Sequence, residues 1–211
     1  MLSFAGIDLT SSRRKPSAYA LLKEDLSVSY LRYLHTDAEI ISEIERDKPT
    51  LVAIDAPLRL PQGLCCLNRD CTCQPASKKA GRLCERELAK SGIPCYFTTK
   101  RSIIKEMVYR AIALKEELLA CGFEVIEAYP YATKVRLWGK PIPRKTTPNG
   151  LRFLAGHLAV VIPDIVRYQA RLDHDLCDAL LAAYTAYLHY QGKTEAIGDS
   201  KDGWIYIPFS K

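Results

Sequence analysis

The sequence predicts an α/β fold, a mixed sheet flanked by helices, and three observations carry that expectation. Strand-like runs stand close together over residues 3–10, 17–24 and 28–35. Helical and strand patterns then alternate. The fourth strand, Leu51 to Asp55, is almost continuously apolar, which suits a central position covered on both faces. Meandering strands followed by βα units build a mixed sheet with helices packed on it.

Each element has its own justification. Residues 3–10 alternate, with Phe4, Gly6 and Asp8 on one face and Ala5, Ile7 and Leu9 on the other. The polar turn SSRRKPS leads to SAYALLKE, the other half of a hairpin, and VSYLRYLH adds a third strand. A helix follows, with Asp37 as N-cap, apolar residues at helical spacing and an end before Pro49. After LVAID, residues 57–100 break the pattern: they are rich in Pro, Gly, Cys and basic side chains, with one short helix around Arg82 to Lys90. So long a loop within a domain is usually functional. A long helix from Ser102 closes at Gly122. FEVIEAYP is a strand, residues 131–170 read as short helices around a Pro-rich bend, and Asp173 to Tyr190 is a strong helix that Asp173 caps. GWIYIP adds a terminal strand. The ribonuclease H-like architecture is the common fold with this order, here as a single domain over 1–211 with a Cys-rich insertion, 57–100, after the fourth strand.

Composition narrows the function classes. With 211 residues, 48% hydrophobic and 26% charged, the chain can bury a full core. No apolar run approaches the roughly 18 residues that span a bilayer, and Asp8 falls where a leader would be apolar. A cytoplasmic location without membrane association is the expectation. A net charge of +6 permits a polyanionic partner without requiring one.

The acids are the sharpest signal. Asp8 and Asp55 each interrupt an apolar strand, and an unpaired ionised carboxylate in such a setting is costly. Asp175 and Asp178 lie three apart on the last helix and so project from one side. Four acids focused on one point are hard to ionise together without a cation, and oxygen-only ligands suit Mg²⁺ or Mn²⁺. Carboxylates holding such ions recur in phosphodiester cleavage. Taken singly, each acid also suits a turn cap or an ion pair: Arg13 and Arg14 could serve Asp8, and Arg59 could serve Asp55. Glu127 is either a further ligand or a buried ion-pair partner. His174 reads as a surface or supporting histidine sooner than a proton relay.

GIDLT, VAIDAP, the RxCxREL stretch at Arg82 to Leu88, EAYP with the following AT, DHDLCDA and GDSKDGWIYIP together resemble a domain-of-unknown-function family of predicted ribonuclease H-like nucleases. The resemblance runs nearly end to end. It implies acidic positions at Asp8, Asp55 and Asp178, with Asp175 paired to Asp178 in a manner similar to the terminal helix of RuvC-type resolvases. The expected function is Mg²⁺- or Mn²⁺-dependent hydrolysis of nucleic acid. The alternative is a non-catalytic nucleic-acid-binding or scaffold protein on the same fold.

Six of eight cysteines fall between Cys65 and Cys95. Cys66, Cys71, Cys73 and Cys84 have the spacing C-x4-C-x-C-x10-C, with Cys65 adjacent. Four thiolates could close a zinc site or hold an iron–sulfur cluster; disulfides and free thiols are the other readings. Basic residues, among them Lys100, Arg101, Arg144 and Lys145, accompany the insertion and the Pro-rich bend. They could line a nucleic-acid groove with Tyr96, Phe97 and Trp138 as stacking surfaces, or form a solvated face.

Overall fold

A computed structural model describes residues 2–12 and 15–210. Met1, Arg13, Arg14 and Lys211 lie outside the described residues, as does the pairing of Arg13 or Arg14 with Asp8.

Five strands form one sheet in the order β3-β2-β1-β4-β5. They are β1 (Ser3–Asp8), β2 (Ser17–Lys23), β3 (Val28–Leu34), β4 (Leu51–Asp55) and β5 (Val125–Glu127). The first three form an antiparallel meander, while β1, β4 and β5 run parallel. This mixed sheet with β2 reversed has the ribonuclease H-like topology.

Helices cover both faces. Under one lie α1 (Asp37–Asp47) and α3 (Lys105–Ala120), packing Ile40, Ile44, Ala111 and Leu114 against Ala5, Ile7, Val52 and Ile54. The N-cap of α1 is Thr36, not Asp37; its hydroxyl accepts from Glu39 N at 3.1 Å. Position 36 is the last extended residue, so its side chain reaches back to the exposed amides of the first turn.

On the other face lies α6 (His174–Tyr190), and its closeness to the sheet fixes the site. The alanines meet the strands, with Ala182 and Ala186 against Phe4 and Ala53. A Cβ on Gly6 would stand 2.1 Å from Ala179 O and 2.2 Å from Ala183 N, so helix backbone lies directly on strand backbone. Outside α6 pack α4 (Pro130–Trp138) and α5 (Pro148–Val161), followed by a 3-10 helix, Pro163–Arg171. The hydroxyls of Thr133 and Thr185 meet at 2.9 Å and register α4 on α6.

The terminal strand does not extend the main sheet. It is β7 (Gly203–Pro208), paired antiparallel with β6 (Thr194–Asp199), which the sequence pattern did not reveal. One bridge, Ala128 to Tyr206, joins this hairpin to the end of β5. Together with α2 (Leu83–Lys90), the hairpin buries Cys84, Leu88, Ile93, Ile205 and Ile207 in a separate small core.

Candidate active site

Parallel register places two acids side by side. Asp8 and Asp55 are the last residues of β1 and β4, and their Cα atoms are direct partners. Both share the face of Gly6 and Ala53, toward α6, and open into a cleft of about 620 Å³ at the carboxyl ends of these strands. Open α/β sheets bind ligands at this edge. Asp178, almost fully buried on α6, lines the same cleft.

The electrostatics record this convergence. Burial, then the charges of Asp55 and Asp178, raises Asp8 well above the usual carboxylate range. Burial, then Asp178, pushes Asp55 up to about 7. Among the described residues neither carboxylate has an ion-pair partner, and Arg59 instead donates to Ser200 O at 2.7 Å.

Asp178 is different. Lys134 Nζ donates to Oδ1 at 2.7 Å and Lys145 Nζ to Oδ2 at 2.6 Å, so both oxygens are taken. Lys134 is buried in α4, one residue past the threonine that registers α4 on α6. Burial would lower the pKa of Lys145, but the adjacent Asp178 charge and hydrogen bond win and hold it above its ordinary value. Asp175 lies nearer the helix start, half exposed, with His174 Nδ1 at 2.7 Å from its Oδ1. Its charge still reaches Asp8.

Glu127 is an ion-pair partner. It pairs with Ile54 across β4 and β5, one step out of phase with Asp55, and so falls on the other face of the strand. There it takes a bidentate bond from Arg82, at 2.7 Å and 2.6 Å, plus Leu58 N at 2.8 Å. Arg82 Nε also bonds Glu85 Oε1 at 2.8 Å, and Glu85 accepts from Thr98 N and Oγ1. This buried network anchors both ends of the insertion beside the cleft. Sequence reading missed the partnership of Arg82 with Glu127 and that of Lys134 with Asp178; the only trace of the latter is a lone lysine in the mostly apolar helix PYATKVRLW.

The cysteines regroup. Cys65, Cys66, Cys71 and Cys73 have their sulfurs all within 4.8 Å of one another, the only such set of three or more Cys, His, Asp or Glu among the described residues. Cys84, expected from spacing to be the fourth member, is buried in the hairpin core instead, where burial pushes its thiol up. It is the second residue of α2, and the buried side of that helix carries it away from the loop. Trp138 also departs from expectation, since it packs edge-on against Phe153 and touches the core. Tyr96, at 68% exposure, does stand free at the cleft.

Strand order and a reversed second strand define a ribonuclease H-like fold, with acids closing its first and fourth strands. More particularly, the chain belongs to the family described as Protein of unknown function (DUF429), whose model matches residues 6–202. Among solved structures, Thermus thermophilus RuvC is similar, at 14% identity and a TM-score of 0.48, covering 90% of this chain and 97% of that one. No curated protein matches the chain. No helix among the described residues is long and apolar enough to cross a membrane.

Proposed function

We propose that this protein is a metal-dependent nuclease, working in the cytoplasm, whose centre is Asp8, Asp55 and Asp178 with Asp175 at its rim. The observation that carries this reading is the side-by-side placement of Asp8 and Asp55, difficult to ionise and without an ion-pair partner among the described residues, facing a third acid across one cleft. The donor chemistry suits a hard cation, since carboxylate oxygens are the preference of Mg²⁺ and Mn²⁺; no three of these acids bring their oxygens within 4.8 Å of one another in the free protein, so binding would draw them together. When bound, such an ion supplies the positive charge that activates water and steadies the leaving oxygen in phosphodiester hydrolysis.

The chain's own residues do the rest. Asp8 and Asp55 offer their oxygens from rigid strand ends. Lys145, whose side chain is 42% exposed, holds Asp178 in the free protein and is placed to pair with a substrate phosphate. Arg144 lines the same cleft, and Tyr96 offers a face on which a base can stack.

Calorimetric titration with Mn²⁺, followed by cleavage assays on single strands, duplexes, hybrids and junctions, tests the reading. Binding and cleavage should both vanish in Asp8→Asn. A second reading, nucleic-acid binding without catalysis, is favoured by one observation: two lysines already occupy both oxygens of Asp178. Tight nucleic-acid binding without Mn²⁺ uptake or turnover on any substrate would select it.

A further inference from the structure

The nuclease reading leaves the cysteine loop unused. Between Asp55 and Leu83 the chain forms neither strand nor helix, and so long an irregular stretch needs a cross-link to hold one shape. Its base is closed: Ala76 N donates to Gln62 O at 2.8 Å. Gly63, at φ +89°, makes the tight turn there, and a Cβ would stand 2.5 Å from Gln74 O.

Within this closed loop the four sulfurs converge, with Cys65 and Cys71 at 3.6 Å. A tetrahedral ion with zinc–sulfur bonds of about 2.3 Å sets neighbouring sulfurs about 3.8 Å apart. The observed spacing needs little contraction to reach that. Two disulfides would require only pairwise approach. A cluster of several irons, with sulfides between them, holds its thiolates further apart. Mutual approach of all four is the geometry of one central ion.

The surroundings agree. Zinc with four thiolates carries a net charge of about −2, and Lys100 Nζ lies at the loop, donating to Cys71 O at 2.5 Å and Cys73 O at 2.6 Å. Leu67, between the two cysteine pairs, is fully buried, and its N–H donates to Tyr109 Oη of α3 at 2.5 Å.

We propose that Cys65, Cys66, Cys71 and Cys73 bind one zinc ion as a structural tetrathiolate site that fixes the 61–76 loop against α3. Four protein sulfurs leave no open position for substrate, so the site shapes the insertion beside the cleft and takes no part in the reaction.

Metal analysis and cobalt substitution on the full chain provide the test. About one zinc per chain is expected, retained in Asp8→Asn, Cys84→Ala and Cys121→Ser and lost in Cys71→Ser. Retention in Asp8→Asn separates this site from the acidic one. The cobalt-loaded protein should show the intense visible bands of a tetrahedral thiolate site. Iron or sulfide in place of zinc, zinc that survives Cys65→Ser but not Cys84→Ala, or a protein without metal would each overturn the assignment. Should Cys71→Ser fail to fold, the zinc content and cobalt spectrum of the unaltered chain decide: thiolate bands support the site, and their absence removes it.

Discussion

Asp55 has a folded value near 7 against an ordinary 3.8, chiefly because burial opposes its charge. Being raised, it destabilises the metal-free protein above about pH 7, where the ion must be formed in the fold, and ceases to do so below the ordinary value. Stability from this group therefore rises as pH falls from about 7 to 3.8. Asp55→Asn should raise the melting temperature of metal-free protein at about pH 8 and change it little at about pH 4. Equal shifts at both would show that the acid is not strained. Arg82 and Glu127 make a separate prediction: Glu127→Ala leaves a guanidinium buried and partly unpaired, and should cost about 3–5 kcal/mol in denaturant titrations. Loss of Mn²⁺ affinity with stability unchanged would instead make Glu127 a ligand. The difference between Glu127 and Asp55 was only half legible in sequence. Both end apolar runs, but which face each takes depends on register across β4 and β5, and on an arginine 45 residues away along the chain.

Gly6 sets how closely α6 approaches the sheet, and thus where Asp178 stands. In Gly6→Ala the new methyl meets helix backbone rather than a movable side-chain tip. A loss of about 3 kcal/mol or a failure to fold is expected, with Mn²⁺ binding weakened in any folded fraction; unchanged binding and stability would mean that α6 shifts freely. Asp173 accepts from Asp175 N and Leu176 N, so Asp173→Ala should cost about 1 kcal/mol by fraying the turn that carries Asp175. These elements were readable because their signals are local. The Asp173 cap, the alanines of the last helix and the alternation of β1 need only near neighbours along the chain. The β6 strand was not readable: TEAIGD has neither a long apolar run nor clean alternation, and only pairing with β7 makes it a strand.

At the scale of the molecule, the meander followed by βα units was enough to place Asp8 and Asp55 together, because parallel adjacency follows from strand order. The lysines on Asp178 were not legible, since the 134 and 145 positions reach it from α4 and from the bend before α5. If nucleic acid enters this cleft, log affinity should fall steeply with log salt, and Lys145→Met should flatten that slope by about one contact. An unchanged slope would place the phosphate path elsewhere. The β6–β7 hairpin has a further consequence. Asp202, in its turn, accepts from Gln62 N and Leu83 N, while Glu87 of α2 takes Gly198 N. Both flanks of the insertion are thus also tied to the β6–β7 hairpin. All five strands of the sheet precede the hairpin in sequence, so the sheet can form before Gln62 and Leu83 gain Asp202 as acceptor, with the insertion meanwhile held by Arg82 on Glu127.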